Sequence, residues 1–192
     1  DSGGDDVMRT LLAELSNGYW VHVRQSLTID RASAAHTSSG YIELSENGGL
    51  TILQSGTNPS FTNTQAIILL DDRILTVDGG IFAQRGRVLG LGTIDVSTSA
   101  LAPAAEFAPG YGELAVTGDL PLDSESLILL EARSTSFATA GYGRVTVTGT
   151  ATLGGALQLS LTEGFVPAIG DSFTILTGAI VTGTFGQTFL PT

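Results

Sequence analysis

One short pattern recurs along most of this chain. An apolar–polar–apolar triplet, or its glycine- or alanine-bearing variant, appears as Leu27-Thr28-Ile29, Leu50-Thr51-Ile52, Leu75-Thr76-Val77, Gly92-Thr93-Ile94, Leu114-Ala115-Val116 and Val145-Thr146-Val147. The starts are 23, 25, 17, 22 and 31 residues apart. In an extended strand, alternate side chains point to opposite sides, so the first and third members of each triplet share a face. A single strand cannot bury such a row. Recurrence at this spacing predicts stacked coils, in which each coil covers the next and every strand pairs with its equivalents above and below.

The strongest repeat lies late in the chain. Residues 110–122 read GYGELAVTGDLPL and residues 141–153 read GYGRVTVTGTATL, identical at seven of thirteen positions at an offset of 31. These are expected to be equivalent coils, with Leu114 and Val116, Val145 and Val147, and then Leu157, Leu159 and Leu161 facing inward. Composition supports this. Hydrophobic residues make up 42% and charged residues 14%, which excludes a disordered chain, and 25 glycines suit corners between short strands better than a helical bundle.

The two ends read differently. Val7, Met8, Leu11, Leu12 and Leu15 fall on one face of a helix. Asp5 or Asp6 stands at its N-cap and Asn17-Gly18 at its stop. The spacing therefore predicts an amphipathic helix within residues 1–18 that caps an open end of the stack. Coils are expected over 19–163. Residues 164–192, with Gly170-Asp171 and Gly183-Thr184-Phe185-Gly186, fit either a terminal coil or a closing hairpin of the same single domain.

The run Tyr142-Gly143-Arg144-Val145-Thr146-Val147-Thr148-Gly149, followed by Leu153-Gly154-Gly155-Ala156-Leu157, Gly164-Phe165-Val166-Pro167 and Gly170-Asp171-Ser172-Phe173, resembles the C-terminal part of autotransporter-type passenger β-helices. It is similar also to repeat-rich surface proteins of the exosortase-sorted kind. Upstream, Val88-Leu89-Gly90-Leu91-Gly92 and Ala108-Pro109-Gly110 resemble turns of the same group. The resemblance covers roughly residues 74–186 and, more weakly, 20–73. It implies an all-β, right-handed parallel β-helix, exported and displayed or released outside the cell, and it brings no catalytic motif. The group's membrane barrel and sorting helix are not among these 192 residues, which leaves the anchoring route open.

Charge and residue type narrow the chemistry. The net charge is −11 and all eight basic residues are arginine, so the surface repels phosphate backbones and nucleic acid is not an expected partner. No apolar run approaches the ~20 residues of a membrane-spanning helix. With no cysteine, thiolate metal sites and disulfides are excluded. His22 and His36 are the only histidines, and no Gly-x-Ser-x-Gly or His-Glu-x-x-His motif accompanies them. Asp71, Asp72 and Asp78, or Asp1, Asp5 and Asp6, supply hard oxygens suited to calcium. No other cofactor is expected. Solvated acidic turns explain the same residues more simply. Thr146, Thr148, Thr150 and Thr152 form a Thr-x-Thr row, which β-propensity accounts for. Tyr111 and Tyr142 occupy equivalent coil positions and would present either a structural spine or a binding platform.

The expected function is structural and non-catalytic: an extracellular or cell-surface solenoid that self-associates end to end into a fibre or matrix. Val7, Leu11 and Leu15 at one end, and Phe185 and Phe189 at the other, are the candidate contacts. The alternatives are an adhesin-type module that binds glycan, favoured by exposed aromatics clustered on one face, and a polysaccharide lyase or glycosidase. The enzyme reading needs Asp71, Asp72 or Asp78 to converge with Arg73 or Arg85 in a groove.

Overall fold

The computed structural model of the chain describes residues 9–64 and 67–191. Its strands fall into three series that recur in fixed order. The first face is built from Arg9–Leu11, 27–30, 50–53, Arg73–Asp78, Gly92–Asp95, Glu113–Thr117, 144–148 and 176–178. The second face runs through Ser16–Asn17, Ala35–Ser38, Ser60–Asn63, Ile81–Gln84 and Ala100–Pro103, and continues at Leu120–Pro121 and 151–153. The third holds 20–23, 41–44, Ile67–Leu69, Arg87–Leu89, Glu106–Gly110, Leu127–Ala132, Ala156–Leu161 and Gln187–Phe189. All pairings between these strands are parallel. The one antiparallel contact among the described residues is an isolated bridge, Ala132 to Tyr142. The result is an all-β chain built on a long parallel sheet, the arrangement of a β-solenoid.

The alternation seen in the sequence is what fills the interior. Leu50 and Ile52, Leu75 and Val77, Leu114 and Val116 from the first face meet Phe61 and Phe82 from the second and Ile42, Val88, Phe107 and Ile128 from the third, all buried. Full burial of such a side chain contributes about 1.5–3 kcal/mol. Phe61 and Phe82, in register, stack with ring centroids 4.9 Å apart and planes 3° from parallel. Two residues further along the same strands the interior turns polar, and hydrogen bonds between coils offset part of the cost of burying these groups. The Asn17 amide donates to the Ser38 hydroxyl at 3.0 Å, and the Asn63 amide donates to Gln84 Oε1 at 2.8 Å.

The register follows the repeat with one departure. Leu27 pairs with Leu50, Leu50 with Leu75, Gly92 with Leu114, and Leu114 with Val145. Between the third and fourth triplets the expected offset of 17 becomes 19, because Gly92 pairs with Arg73 and Ile94 with Leu75. The slip is two residues, so it leaves the inward side chains inward. Glycine is required at position 92, where φ is +136° and a Cβ would stand 2.4 Å from the Arg73 carbonyl oxygen.

The 31-residue offset has its origin in the loop after Leu127–Ala132. Residues 133–143 leave the stack, form a short 3-10 turn at Phe137–Thr139, and return. There Tyr142 meets Phe137 and Phe173 edge to face, at 5.6 and 5.3 Å.

The capping helix is not formed over the described part of its span. Arg9–Leu11 is a strand paired with Leu27–Ile29, and Ser16–Asn17 pairs with Thr37–Ser38. A helix this short is marginal by itself. The edge of the next coil offers the same backbone groups direct partners: Thr37 N–H donates to Leu15 O at 2.8 Å, and Ser39 N–H donates to Asn17 O at 2.8 Å. Residues 1–8, including Val7, lie outside the described residues. At the other end, Leu176–Gly183 pairs in parallel with 145–153 and Gln187–Phe189 with 156–158, so this segment adds a rung and not a hairpin. Among the described residues no helix is long and apolar enough to cross a membrane.

Candidate functional site

Seven of the fourteen exposed large apolar side chains among the described residues lie at the two ends of the stack. At the first coil these are Leu11, Leu12 and Tyr19; at the last, Ile180, Val181, Phe189 and Leu190. Of the residues expected there, Leu11 and Phe189 are exposed, Leu15 and Phe185 pack partly against the core, and Val7 is outside the described residues. Val181 is the telling position. It pairs with Ala151, which is fully buried, so its side chain occupies an inward row, yet it is 47% exposed. No described coil covers that row on its far side, and the strand edge there is unpaired among the described residues.

The acidic candidates do not assemble. Asp71 and Asp72 form a left-handed turn, with φ of +43° and +59°, just before Arg73–Asp78. Asp78 closes that strand, roughly 20 Å further on at an extended rise. There it accepts a hydrogen bond from the Thr98 hydroxyl at 2.6 Å. Among the described residues no group of three acidic or imidazole side chains converges on one point. The distance between the two ends of the strand also separates Asp72 from Asp78 as partners in a lyase-type site.

Tyr111 and Tyr142 are in corresponding places, since Glu113 pairs with Arg144, but they do not form one surface. The Tyr111 ring lies under the Arg133 guanidinium at 4.4 Å, and its hydroxyl donates to Thr162 Oγ1 at 2.8 Å. Tyr142 is only 7% exposed within its aromatic cluster, so its ring cannot face a ligand. The threonine row is divided as well. The register shifts between Val147 and Thr150 where the strand turns a corner, leaving Thr146 on the first face and Thr152 on the second.

The histidines have different surroundings. His36 is fully buried. Its Nδ1 accepts the Leu15 N–H at 3.0 Å, and burial pushes its pKa below the usual imidazole value, against the pull of Glu14. His22 points outward, with Nε2 2.8 Å from Ser45 Oγ and 3.4 Å from Glu43 Oε1.

His22 belongs to a patch that sequence reasoning did not pick out. On the third face Val21 and Val23 face the core, so Trp20 and His22 face out. Trp20 pairs with Tyr41, and the rings stack at 5.2 Å while remaining 52% and 43% exposed. Tyr19 beside them is 83% exposed. Past His22 the chain bulges, with register shifts on both sides of Gln25. Gly48 allows the close approach there, since a Cβ would meet the Val23 carbonyl oxygen at 1.9 Å. The bulge frames a depression of about 370 Å³ lined by Arg9, His22, Arg24, Gln25 and Glu46. Arg24 stands 3.6 Å from Glu46, and Arg9 has no carboxylate partner among the described residues. The signal for this patch was the pairing of Trp20 with Tyr41, 21 residues apart. The first-face triplets Leu27 and Leu50 are 23 apart, and the two extra residues sit in the bulge.

No family model, no curated protein and no solved structure matches this chain.

Proposed function

We propose that the chain is a right-handed β-solenoid of the bacterial surface-protein kind, exported from the cell, whose role is structural and whose ends associate head to tail. The observation that carries this reading is Val181, an inward-row side chain that no coil among the described residues covers, beside a parallel strand edge that none of them pairs. An open edge of this kind is a template for further strand pairing. The first coil of a second copy offers parallel edges on both faces, Ser16–Asn17 on the face of Val181 and Arg9–Leu11 on the first, with exposed Leu11 and Leu12 between them. Such a contact joins two different surfaces, so it does not close on itself and propagates into a filament.

Sedimentation velocity and electron microscopy across a concentration series test this. Growing species and linear particles are expected, and Val181→Asp should return the chain to a monomer without loss of its β-type circular dichroism. A monomer at every concentration overturns the reading.

A further inference from the structure

We propose that the outer side of the first two coils, from Trp20 and Tyr41 to Arg9 and Arg24, is a binding site for an acidic oligosaccharide, a chain of uronic-acid type. This site lies on the flank of the stack and is independent of the end-to-end contact.

The chemistry comes in two halves on one strand. Trp20 and Tyr41 present stacked rings to solvent, held by register and not by burial. Large exposed aromatic surface is costly to hydrate, and it suits a ligand that has an apolar face and a polar rim. A pyranose ring has both: axial C–H groups on its face and hydroxyls around its edge. From Trp20 to Arg24 the strand then runs roughly 13 Å, the length of a short oligosaccharide. Along that path His22 is hydrogen-bonded to Ser45 and lies 3.4 Å from the Glu43 carboxylate, a polar set suited to hydroxyls. At its far end the depression gathers Arg9 and Arg24, two of the eight arginines of the chain, against Glu46. Arg9, which has no carboxylate partner among the described residues, suits a ligand carboxylate in paired, charge-assisted fashion.

Charge selects among anionic ligands that also stack. A nucleic-acid strand offers bases for Trp20 and phosphates for the arginines, but its charge density is high and the net charge of −11 opposes it. A uronic-acid chain carries one carboxylate per sugar ring and is repelled less.

Trp20 is the only tryptophan, so its fluorescence reports on the site directly. Titration of the whole chain with a short oligogalacturonate should give a saturable change. A neutral cello-oligosaccharide of the same length should bind at least about tenfold more weakly. The double variant Arg9→Ala, Arg24→Ala should lose about tenfold or more for the acidic ligand and show a flatter dependence on salt. Trp20→Ala, followed by calorimetry with circular dichroism as the folding check, should abolish binding. The assignment is overturned by no saturable change at millimolar sugar, by equal binding of the neutral and acidic ligands, or by a single-stranded oligonucleotide binding where the oligogalacturonate does not.

Discussion

The middle coils and the last coil use the same alternation and reach opposite outcomes. Val145 and Val147, with Leu114 and Val116 on one side and the next rung on the other, are buried. Val181, on the strand that pairs with theirs and in register with buried Ala151, remains about half exposed. Nothing in the local sequence separates the two segments. In a stack, burial is conferred by the neighbours above and below, and a residue's own pattern sets only the direction of its side chain. Stability is therefore expected to be high in the centre and to fall toward both edges.

The largest test of that gradient is a pair of truncations. Phe82→Ala removes a ring stacked on Phe61 in the centre and should cost about 3–5 kcal/mol in denaturant unfolding. Val181→Ala at the edge should cost about 1 kcal/mol or less under monomeric conditions. Equal costs would mean that the ends are as well covered as the middle.

A smaller effect is expected at the first coil, through His36. With Nδ1 accepting the Leu15 N–H, the neutral ring carries its proton on Nε2, which is buried without a partner among the described residues. Protonation of Nδ1 would set two donors against each other. Burial lowers the folded pKa and Glu14 opposes the shift. The folded state therefore holds its proton less tightly than the unfolded chain. The His36 contribution is complete above about pH 6.5 and is lost as pH falls from there through the lowered folded value. Hydrogen exchange should show residues 9–17 opening in this range while the central coils stay protected. Replacement by phenylalanine should remove the acid-dependent step, and its persistence in His36→Phe would count against this account.

The smallest change should come from Glu113 and Arg144, which tie two coils together across the 31-residue offset while about a third exposed. Glu113→Gln should lower stability by about 1 kcal/mol or less, and the difference should shrink in high salt.

The winding of the chain was legible wherever the triplets were regular. Leu27, Leu50 and Leu75, and the twin Gly-Tyr-Gly segments, announce their register because the period-two pattern and the pairing obey the same geometry. The first segment was misread because Leu11, Leu12 and Leu15 satisfy a helical spacing equally well. What decides their form is the unpaired edge of the neighbouring coil, which no local pattern records. The exposed patch was hidden for a related reason. Trp20 and Tyr41 meet only because the bulge around Gln25 absorbs two residues, so faces of one coil have different offsets. The acidic turn at Asp71 and Asp72 was readable as a turn; the separation from Asp78 follows from the strand between them.

The two-residue slip at Gly92 carries a lesson about change in such a chain. On a face, coil length can be altered in even steps and the lining of the interior is preserved, so long as a glycine stands where backbones converge. Other changes in length are taken up at a bulge, as beside Gln25, or in a loop that leaves the stack, as at residues 133–143. Ornament can thus be added or trimmed at the corners through small duplications and losses while the wall between them goes on being built.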